Sequence, residues 1–322
     1  MLTCEACGRG FPDSTPDYLV LKPSSGYEET TKFVEDSFHA DGRDESVSPP
    51  LLSAAVRNNM LRKFLSPGAG DVVLDLGCGS GRFAVWNLSS GAHFIGVDTG
   101  TFFAAESRAS LDLVVGDLRK LPLADGAVTK AYAIDVLEHL SPESLDAMLT
   151  EINRVLAPGG GLFIYTHVMQ LSPLAPVLAA IAGVSRAIER VGLADLTVDR
   201  LRPTDHLNPL ASRSHLDEVA ARSGFSVDRF LYYTPILSRI AESVVVPLGA
   251  HMLARRRSTA AGVDASAVRE ARLEAKRTLA RGGLLYRALR AMTSVVMLDV
   301  RLLGRMRSGP FFALLVKRPG PG

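Results

Sequence analysis

A glycine-rich turn carries the first chemistry that can be read in this chain. Residues 72–81, VVLDLGCGSG, join an apolar run to an acidic residue and to three glycines at alternate positions. This order predicts a buried strand, a tight turn around Cys78 and the start of a helix. Gly77, Gly79 and Gly81 leave no Cβ between the backbone and a ligand, and the helix would direct free N–H groups towards it.

The turn differs from the fingerprint of dinucleotide-binding sites. That fingerprint places its third glycine where this chain has Arg82. Asp75 precedes the first glycine, and its carboxylate would repel a pyrophosphate but attract an ammonium group. S-adenosylmethionine meets these requirements, because it carries an α-amino group and a sulfonium but no phosphate.

Further acidic residues end the later apolar runs. Asp98 closes the run 92–98, and its two oxygens can accept from both hydroxyls of a ribose. Asp117 closes a third run, where a side chain could accept from the adenine amino group, and Asp135 closes a fourth. The residues predicted to bind the cofactor are Asp75, Gly77, Cys78, Gly79, Gly81, Asp98, Asp117, Leu118 and Asp135.

Alternating strands and helices must position these residues. Strands are predicted near 72–76, 93–98, 112–115, 130–134, 161–166 and 226–232. Residues 144–156 repeat apolar side chains at helical spacing, between a Ser-Pro-Glu start and a Pro158-Gly159 stop. This alternation predicts an α/β fold with a parallel sheet wound on both faces. Ligands of such sheets bind at the C-terminal strand ends, where the four aspartates fall.

Taken together, these motifs resemble the class I S-adenosylmethionine-dependent methyltransferases. The closest likeness is to the small-molecule subgroup with an LDLGCGSG turn and a VLEHL segment, and it covers residues 50–235. It implies S-adenosylmethionine as cofactor and a Rossmann-like, seven-stranded, mostly parallel sheet with an antiparallel last strand. Where the family often has Phe-Asp at the fourth strand, this chain has Val128-Thr129.

Methyl transfer asks for alignment of the acceptor and exclusion of water, and for a general base only when the acceptor carries a proton. His139, His167 and His206 are candidates for such a base. We predict His139 as the catalytic residue, because it follows the fourth strand beside the cofactor turn. Neighbouring Glu138 is interpreted as capping or orienting the helix that begins nearby.

Two cysteines near the N-terminus have the spacing of half a zinc knuckle. Cys4 and Cys7 lack a second pair, so residues 1–48 are interpreted as a degenerate zinc-ribbon-like segment without metal. Residues 22–50, at the end of this segment, are interpreted as either a lid over the cofactor or an ordinary surface connection. The methyltransferase core is predicted at 49–235.

A basic helical insertion, residues 236–309, separates this core from its predicted last strand at 310–317 and the tail to 322. Three arginines at 255–257 and a basic run from Arg269 to Arg290 make it strongly positive. Its face is either solvated, bound to a membrane surface or bound to RNA. Since Tyr286 is almost the only aromatic residue there, nucleic acid is disfavoured.

The acceptor is interpreted as a small, apolar or lipid-linked molecule, reached at an anionic membrane surface. The motive is an uncharged stretch at 168–184 and the arginines of the insertion. Two alternatives stay open: methylation of RNA or another macromolecule through the insertion, and a non-catalytic scaffold that binds the cofactor.

Composition agrees with a folded enzyme. The chain is 47% hydrophobic and 22% charged, with a formal net charge of +2. Its three cysteines form no disulfide framework, and its start shows no signal peptide, so we expect a cytoplasmic protein with possible membrane contact.

Overall fold

The computed structural model describes residues 2–3, 10–11, 14–21, 46–193, 207, 209–248 and 283–319. Several predictions lie outside these residues. They concern the cysteine pair, most of the segment at 22–50, the base candidate His206 and the arginines 255–257.

The described residues form one eight-stranded sheet and a small two-stranded one. The small sheet pairs β1 (Leu2–Thr3) with β2 (Gly10–Phe11). The strands of the main sheet are β3 (Leu19–Val20), β4 (Val72–Leu76), β5 (His93–Asp98), β6 (Asp112–Val115), β7 (Val128–Ile134), β8 (Leu156–His167), β9 (Phe225–Tyr232) and β10 (Pro310–Lys317). They lie in the order β3-β6-β5-β4-β7-β8-β10-β9, and only β10 runs antiparallel to its neighbours.

The number of strands is one more than predicted. The extra strand is β3, which pairs in parallel with β6 through Leu19 and Val20. The sequence analysis placed these residues in the N-terminal segment. A strand of two residues has no periodicity of its own, so only its partner reveals it.

The helices cover both faces of the sheet. They are α1 (Leu52–Leu65), α2 (Arg82–Val85), α3 (Ala105–Ser110), α4 (Pro142–Val155), α5 (Ala175–Arg190), α6 (Arg213–Arg222), α7 (Ile236–Ile240), α8 (Leu284–Val296) and α9 (Leu298–Leu303). A 3₁₀ turn spans Leu137–His139, and a π-helical turn at Ala241–Val245 follows α7. Two apolar layers, one on each face of the sheet, confirm the doubly wound fold.

The start of α4 follows the prediction, and its end at Val155 lies one residue before the predicted end. The Ser141 hydroxyl accepts the N–H of Ser144 at 3.1 Å, with proline at the first helical position. Strand β8 then begins at once, at Leu156, and includes residues 158–161, where a turn had been predicted. The Pro158-Gly159 pair is absorbed as a bulge between the pairings Val128–Leu156 and Lys130–Gly161.

The predicted last strand is confirmed and lies one place in from the sheet edge. β10 pairs with β8 on one side and with β9 on the other. Phe311 and Phe312 point to opposite faces and are both fully buried, one in each apolar layer. The strand is therefore a central part of the core, although nearly 80 residues separate it from β9 in sequence.

The helices before β10 are anchored to the core by polar contacts that the sequence did not reveal. At the start of α1, the Leu52 N–H donates to Thr293 Oγ1 at 2.8 Å, and the Ser53 N–H donates to Glu242 Oε1 at 3.0 Å. Asp299 is buried and accepts the N–H and the hydroxyl of Ser238 at 2.8 and 2.9 Å. These acceptors satisfy the first N–H groups of two helices.

Candidate cofactor site

The ends of three neighbouring parallel strands meet around one cleft. Asp75, Asp98 and Asp135 lie at or just beyond the ends of β4, β5 and β7, and the cleft between them measures about 280 Å³. Among the predicted site residues, the cleft is lined by Asp75, Gly77, Cys78, Gly79, Asp98, Leu118, Asp135 and His139. Gly81 and Asp117 are not among its lining residues.

The three glycines of the turn have different roles. All have positive φ, at 64°, 53° and 76°, which favours glycine. A Cβ at Gly77 would lie 2.6 Å from the Val136 side chain, and one at Gly81 would lie 2.5 Å from the Ser107 hydroxyl. A Cβ at Gly79 would meet nothing within 4 Å. Gly77 and Gly81 therefore permit close packing, while Gly79 leaves room in the cleft.

The N–H groups of Gly77, Cys78 and Gly79 in the turn are bonded within the protein. Gly77 and Cys78 both donate to the Val97 carbonyl, at 2.8 and 3.1 Å. Gly79 donates to Asp98 Oδ2 at 2.7 Å. The following helix, α2, has only four residues. A phosphate would need those donors, so the turn is built for a ligand without one.

Asp75 is a buried carboxylate without a hydrogen-bond partner on one oxygen. Its residue is 3% exposed, and among the described residues Oδ2 has no partner. Burial raises the pKa of Asp75 to about 7, against the opposing effect of the Tyr132 hydroxyl and with help from the nearby charge of Asp98. A buried carboxylate that faces a cleft favours a ligand with a cationic donor.

This pKa predicts how cofactor binding depends on pH. We expect the affinity for S-adenosylmethionine to be about ten-fold weaker at pH 6 than at pH 8, because an ammonium group favours ionised Asp75. Calorimetric titration across this range measures it. The free energy of unfolding of the ligand-free protein should fall as the pH rises from about 4 to about 7. In this range the Asp75 carboxyl stays protonated in the folded state but ionises in the unfolded state.

The matched variant for this titration is Asp75→Asn, which cannot ionise. It should bind more weakly than the unmodified protein at pH 8 and flatten most of the pH dependence. Burial also raises the pKa of Asp98, so a small residual slope is expected. A slope unchanged by Asp75→Asn would contradict the assignment.

Asp98 is fixed by the turn that it faces. Its Oδ2 accepts the Gly79 N–H at 2.7 Å, and its Oδ1 accepts the Gly100 N–H at 3.1 Å. Each carboxylate oxygen has capacity for more than one donor. These bonds and the contacts with Thr99 hold the carboxylate in the lining of the cleft, where the hydroxyls of a ribose could donate to it.

Asp117 does not take the predicted position in the cleft. Its carboxylate is clamped by Arg119, with Nε–Oδ1 at 3.0 Å and Nη2–Oδ2 at 2.8 Å. The next residue, Leu118, lines the cleft instead. A contact of Asp117 with adenine stays a prediction, and Arg119 competes with it for the same oxygens.

Asp135 is paired with a residue that the sequence did not single out. It has a left-handed φ of 58°, and its Oδ2 accepts from the Arg57 guanidinium of α1. That guanidinium carbon lies 5.0 Å from the centre of the Tyr165 ring. One arginine inside an amphipathic helix, 78 residues before its partner, gives no local signal of this pair.

The histidine candidates lie at the neighbouring strand ends. His139 lines the cleft from the Leu137–His139 turn, and His167 ends β8. Glu138 does not cap α4, contrary to its interpretation from the sequence, because Ser141 does so. It is buried and accepts from Thr166 Oγ1 at 2.7 Å.

Comparison with known proteins identifies the kind of domain. Residues 74–164, which hold the turn and the ends of β4, β5 and β7, match a family model described as a methyltransferase domain. Over these residues the chain carries an S-adenosylmethionine-dependent methyltransferase domain.

Named methyltransferases are similar to part of this chain. "Methyltransferase GfsG" of Streptomyces halstedii is 32% identical over 145 residues, which is 41% of this chain and 51% of the relative. An "O-methyltransferase" of Pyrenophora dematioidea is 33% identical over 142 residues, 41% of this chain and 52% of the relative. The match thus spans about half the length of each. Further relatives are named as tRNA and sterol 24-C-methyltransferases.

A solved structure has a fold similar to that of this chain. It is the phosphoethanolamine N-methyltransferase 2 of Haemonchus contortus with S-adenosyl-L-methionine, at 15% identity and a TM-score of 0.51. The likeness covers 90% of this chain and 59% of that one. The described ranges contain no helix that is both long and apolar enough to cross a bilayer.

Proposed function

We propose that this protein transfers the methyl group of S-adenosylmethionine to a small, apolar or lipid-linked acceptor in the cytoplasm. The observation that carries the cofactor assignment is the unpartnered, buried oxygen of Asp75 beside a turn whose N–H groups are already bonded. Such a site suits a ligand with an ammonium group and no phosphate. Asp98 would hold the ribose, and Leu118 would contact the adenine.

The reaction requires the chain's own residues only to orient the reactants, exclude water and contact the acceptor. When bound, the cofactor supplies a methyl group on a sulfonium, which is a good leaving group. Asp75 and the turn around Gly79 orient the methionine end, and the apolar walls of the cleft exclude water. His139 lines the cleft, and we propose it as a catalytic residue that contacts the acceptor.

A direct test of the function is calorimetry of the unmodified protein with S-adenosylmethionine and S-adenosylhomocysteine. We expect binding of both at a stoichiometry near one. Failure of both to bind at millimolar concentration would falsify the proposal, including its scaffold alternative. Binding without transfer to any tested acceptor would favour the scaffold.

The proposed acceptor class rests on a surface that we call the apolar cap: α5, the loop before it, α8 and α9. Leu171, Leu284 and Leu302 in this cap are 86%, 85% and 74% exposed. α5 buries only Ser185, whose hydroxyl bonds the Ser243 carbonyl at 2.9 Å. Patches of exposed apolar side chains mark sites that bind lipid or another apolar partner.

The charge on this cap fits an anionic membrane. Residues 284–296, LLYRALRAMTSVV, contain two arginines and no acidic residue. Both Arg287 and Arg290 are exposed. Basic residues beside apolar ones favour the headgroup region of an anionic bilayer. Methylation of RNA through the same charges remains the alternative, because tRNA methyltransferases are among the relatives.

Vesicle co-sedimentation tests the cap. We expect binding to vesicles that contain phosphatidylserine and little to phosphatidylcholine alone. Arg287→Glu with Arg290→Glu should weaken it by roughly 30-fold or more, since each basic residue contributes about 1 kcal/mol. Arg62→Glu with Lys63→Glu, two exposed residues at the end of α1, changes the net charge equally and should have little effect.

Equal losses in the two double variants would show that net charge alone drives sedimentation, and the membrane proposal should then be dropped. Binding of a tRNA that competes with the vesicles and is lost in the same Arg287 and Arg290 variant would favour the alternative acceptor. The cofactor assignment survives either outcome.

A further inference from the structure

A buried acid lies directly beside the cleft and plays no part in cofactor binding as proposed. Glu138 is 2% exposed and sits in the 3₁₀ turn next to His139, which lines the cleft. Burial opposes ionisation, but the contacts with His167 and Thr166 outweigh it and hold the pKa of Glu138 below its usual value. Burial of an ionised carboxylate costs free energy unless hydrogen bonds or an opposite charge offset the lost hydration.

Both partners of Glu138 come from the end of β8. Thr166 Oγ1 donates to Glu138 Oε2 at 2.7 Å, and Nδ1 of His167 lies 3.7 Å from Oε1. The hydroxyl fixes one carboxylate oxygen and so aims the other at the imidazole. The distance of 3.7 Å is long for a hydrogen bond, as catalytic pairs without substrate often are.

The end of β8 lies at the same edge of the sheet as the cleft, beside the end of β7. The Asp135 N–H donates to the Tyr165 carbonyl at 3.0 Å, which joins β8 to the strand end that carries Asp135. The rings of Tyr165 and His167 are 5.9 Å apart. The His167 side chain is about one-third exposed, so a substrate can reach it.

A second histidine–carboxylate pair in the chain shows what a surface contact looks like. His93 Nε2 and Asp112 Oδ2 are 2.9 Å apart, with side chains 57% and 67% exposed, at the strand ends opposite the cleft. That pair remains exposed to water and has no third residue. Glu138, by contrast, is buried and is held by a third residue, Thr166, which is the arrangement of an acid that orients an imidazole.

We propose that Glu138 is a positioning residue for His167, and that His167 is the general base that takes the proton of a hydroxyl acceptor. With Nδ1–H directed at Glu138, Nε2 is the proton acceptor. A lone pair of the acceptor oxygen forms the new O–C bond to the methyl group. The S–C bond breaks with its electron pair on sulfur, and the hydroxyl proton goes to Nε2. The inference rests on the proposed function and names hydroxyls as its acceptor class.

Two phenols, used as acceptor substrates, distinguish a histidine that acts as a base from one that has only a structural role. 4-Butylphenol keeps its proton at a pH at which 4-nitrophenol is ionised, so only the first needs a base. We expect His167→Gln to lower kcat with 4-butylphenol by on the order of 100-fold. With 4-nitrophenolate its loss should stay below about five-fold, because no proton has to be removed.

Glu138→Gln should show the same selectivity with a smaller loss, roughly ten-fold, since it keeps the Thr166 bond but not the charge. His93→Gln is the matched control and should change neither rate. Circular dichroism and S-adenosylhomocysteine affinity, expected within about two-fold of the unmodified protein, confirm that each variant keeps its fold.

Equal losses with both phenols, or no loss in His167→Gln, would overturn the proposal. Absence of transfer by the unmodified protein to either phenol would count against hydroxyl acceptors. Failure of the unmodified protein to bind S-adenosylhomocysteine would instead overturn the proposed function, so the two failures are told apart by the same calorimetry.

Discussion

Replacement of Asp98 by alanine should weaken the binding of S-adenosylmethionine and S-adenosylhomocysteine by at least about ten-fold. Each hydrogen bond to a charged acceptor contributes about 1.5–3 kcal/mol, and the hydroxyls of a ribose could donate to Asp98. The variant also removes the acceptor of the Gly79 N–H at 2.7 Å, so the turn loses its internal support. Calorimetry with both ligands measures the combined loss.

Two further variants divide this effect. Asp98→Asn keeps one carbonyl oxygen and the shape of the side chain, so it should lose less than Asp98→Ala. Asp112→Ala removes an exposed carboxylate at the opposite strand ends and should leave affinity unchanged. If Asp98→Ala binds as well as the unmodified protein, the ribose lies elsewhere.

Replacement of Phe312 by alanine should destabilise the fold by about 3–5 kcal/mol, as is typical for large-to-small changes of a buried phenylalanine. Phe312 is fully buried in β10, and its ring lies 4.9 Å from that of Tyr165 and 5.4 Å from that of Tyr233. The cavity would open in the apolar layer against β10, where the neighbouring strands β8 and β9 cannot easily close it. Urea denaturation followed by circular dichroism measures the loss.

The matched control for this variant is Leu302→Ala. Leu302 is an apolar residue of α9, eight positions before β10, and it is 74% exposed. Its truncation should change stability by less than about 0.5 kcal/mol. A loss below about 1 kcal/mol for Phe312→Ala would contradict the placement of β10 inside the sheet.

The sequence alone determined the strands that form the cleft. Apolar runs that end in Asp75, Asp98 and Asp135 are local patterns, and parallel strands bring their C-terminal ends to one edge. The predicted strands at 72–76, 93–98 and 112–115 agree with the structure at both ends. The strand at 310–317 was also recognisable, because its apolar run is long enough to show its own pattern.

Only the tertiary structure decided which polar groups are paired. The sequence predicts the glycine turn, but it does not show that Val97 and Asp98 of the next strand accept the N–H groups of that turn. The contacts of Arg57 with Asp135 and of Glu138 with His167 join residues 78 and 29 positions apart. Local spacing carries no record of such pairs, since they depend on how strands and helices pack.

The raised pKa of Asp75 also depends on the tertiary structure. The sequence shows an acidic residue before a glycine, but its environment comes from burial and from the neighbouring charge of Asp98. The short strand β3 and the buried acid Asp299 are further cases, because each gains its role only from a distant partner. Sequence periodicity reports which face of an element is apolar, whereas desolvation and pairing are properties of the assembled fold.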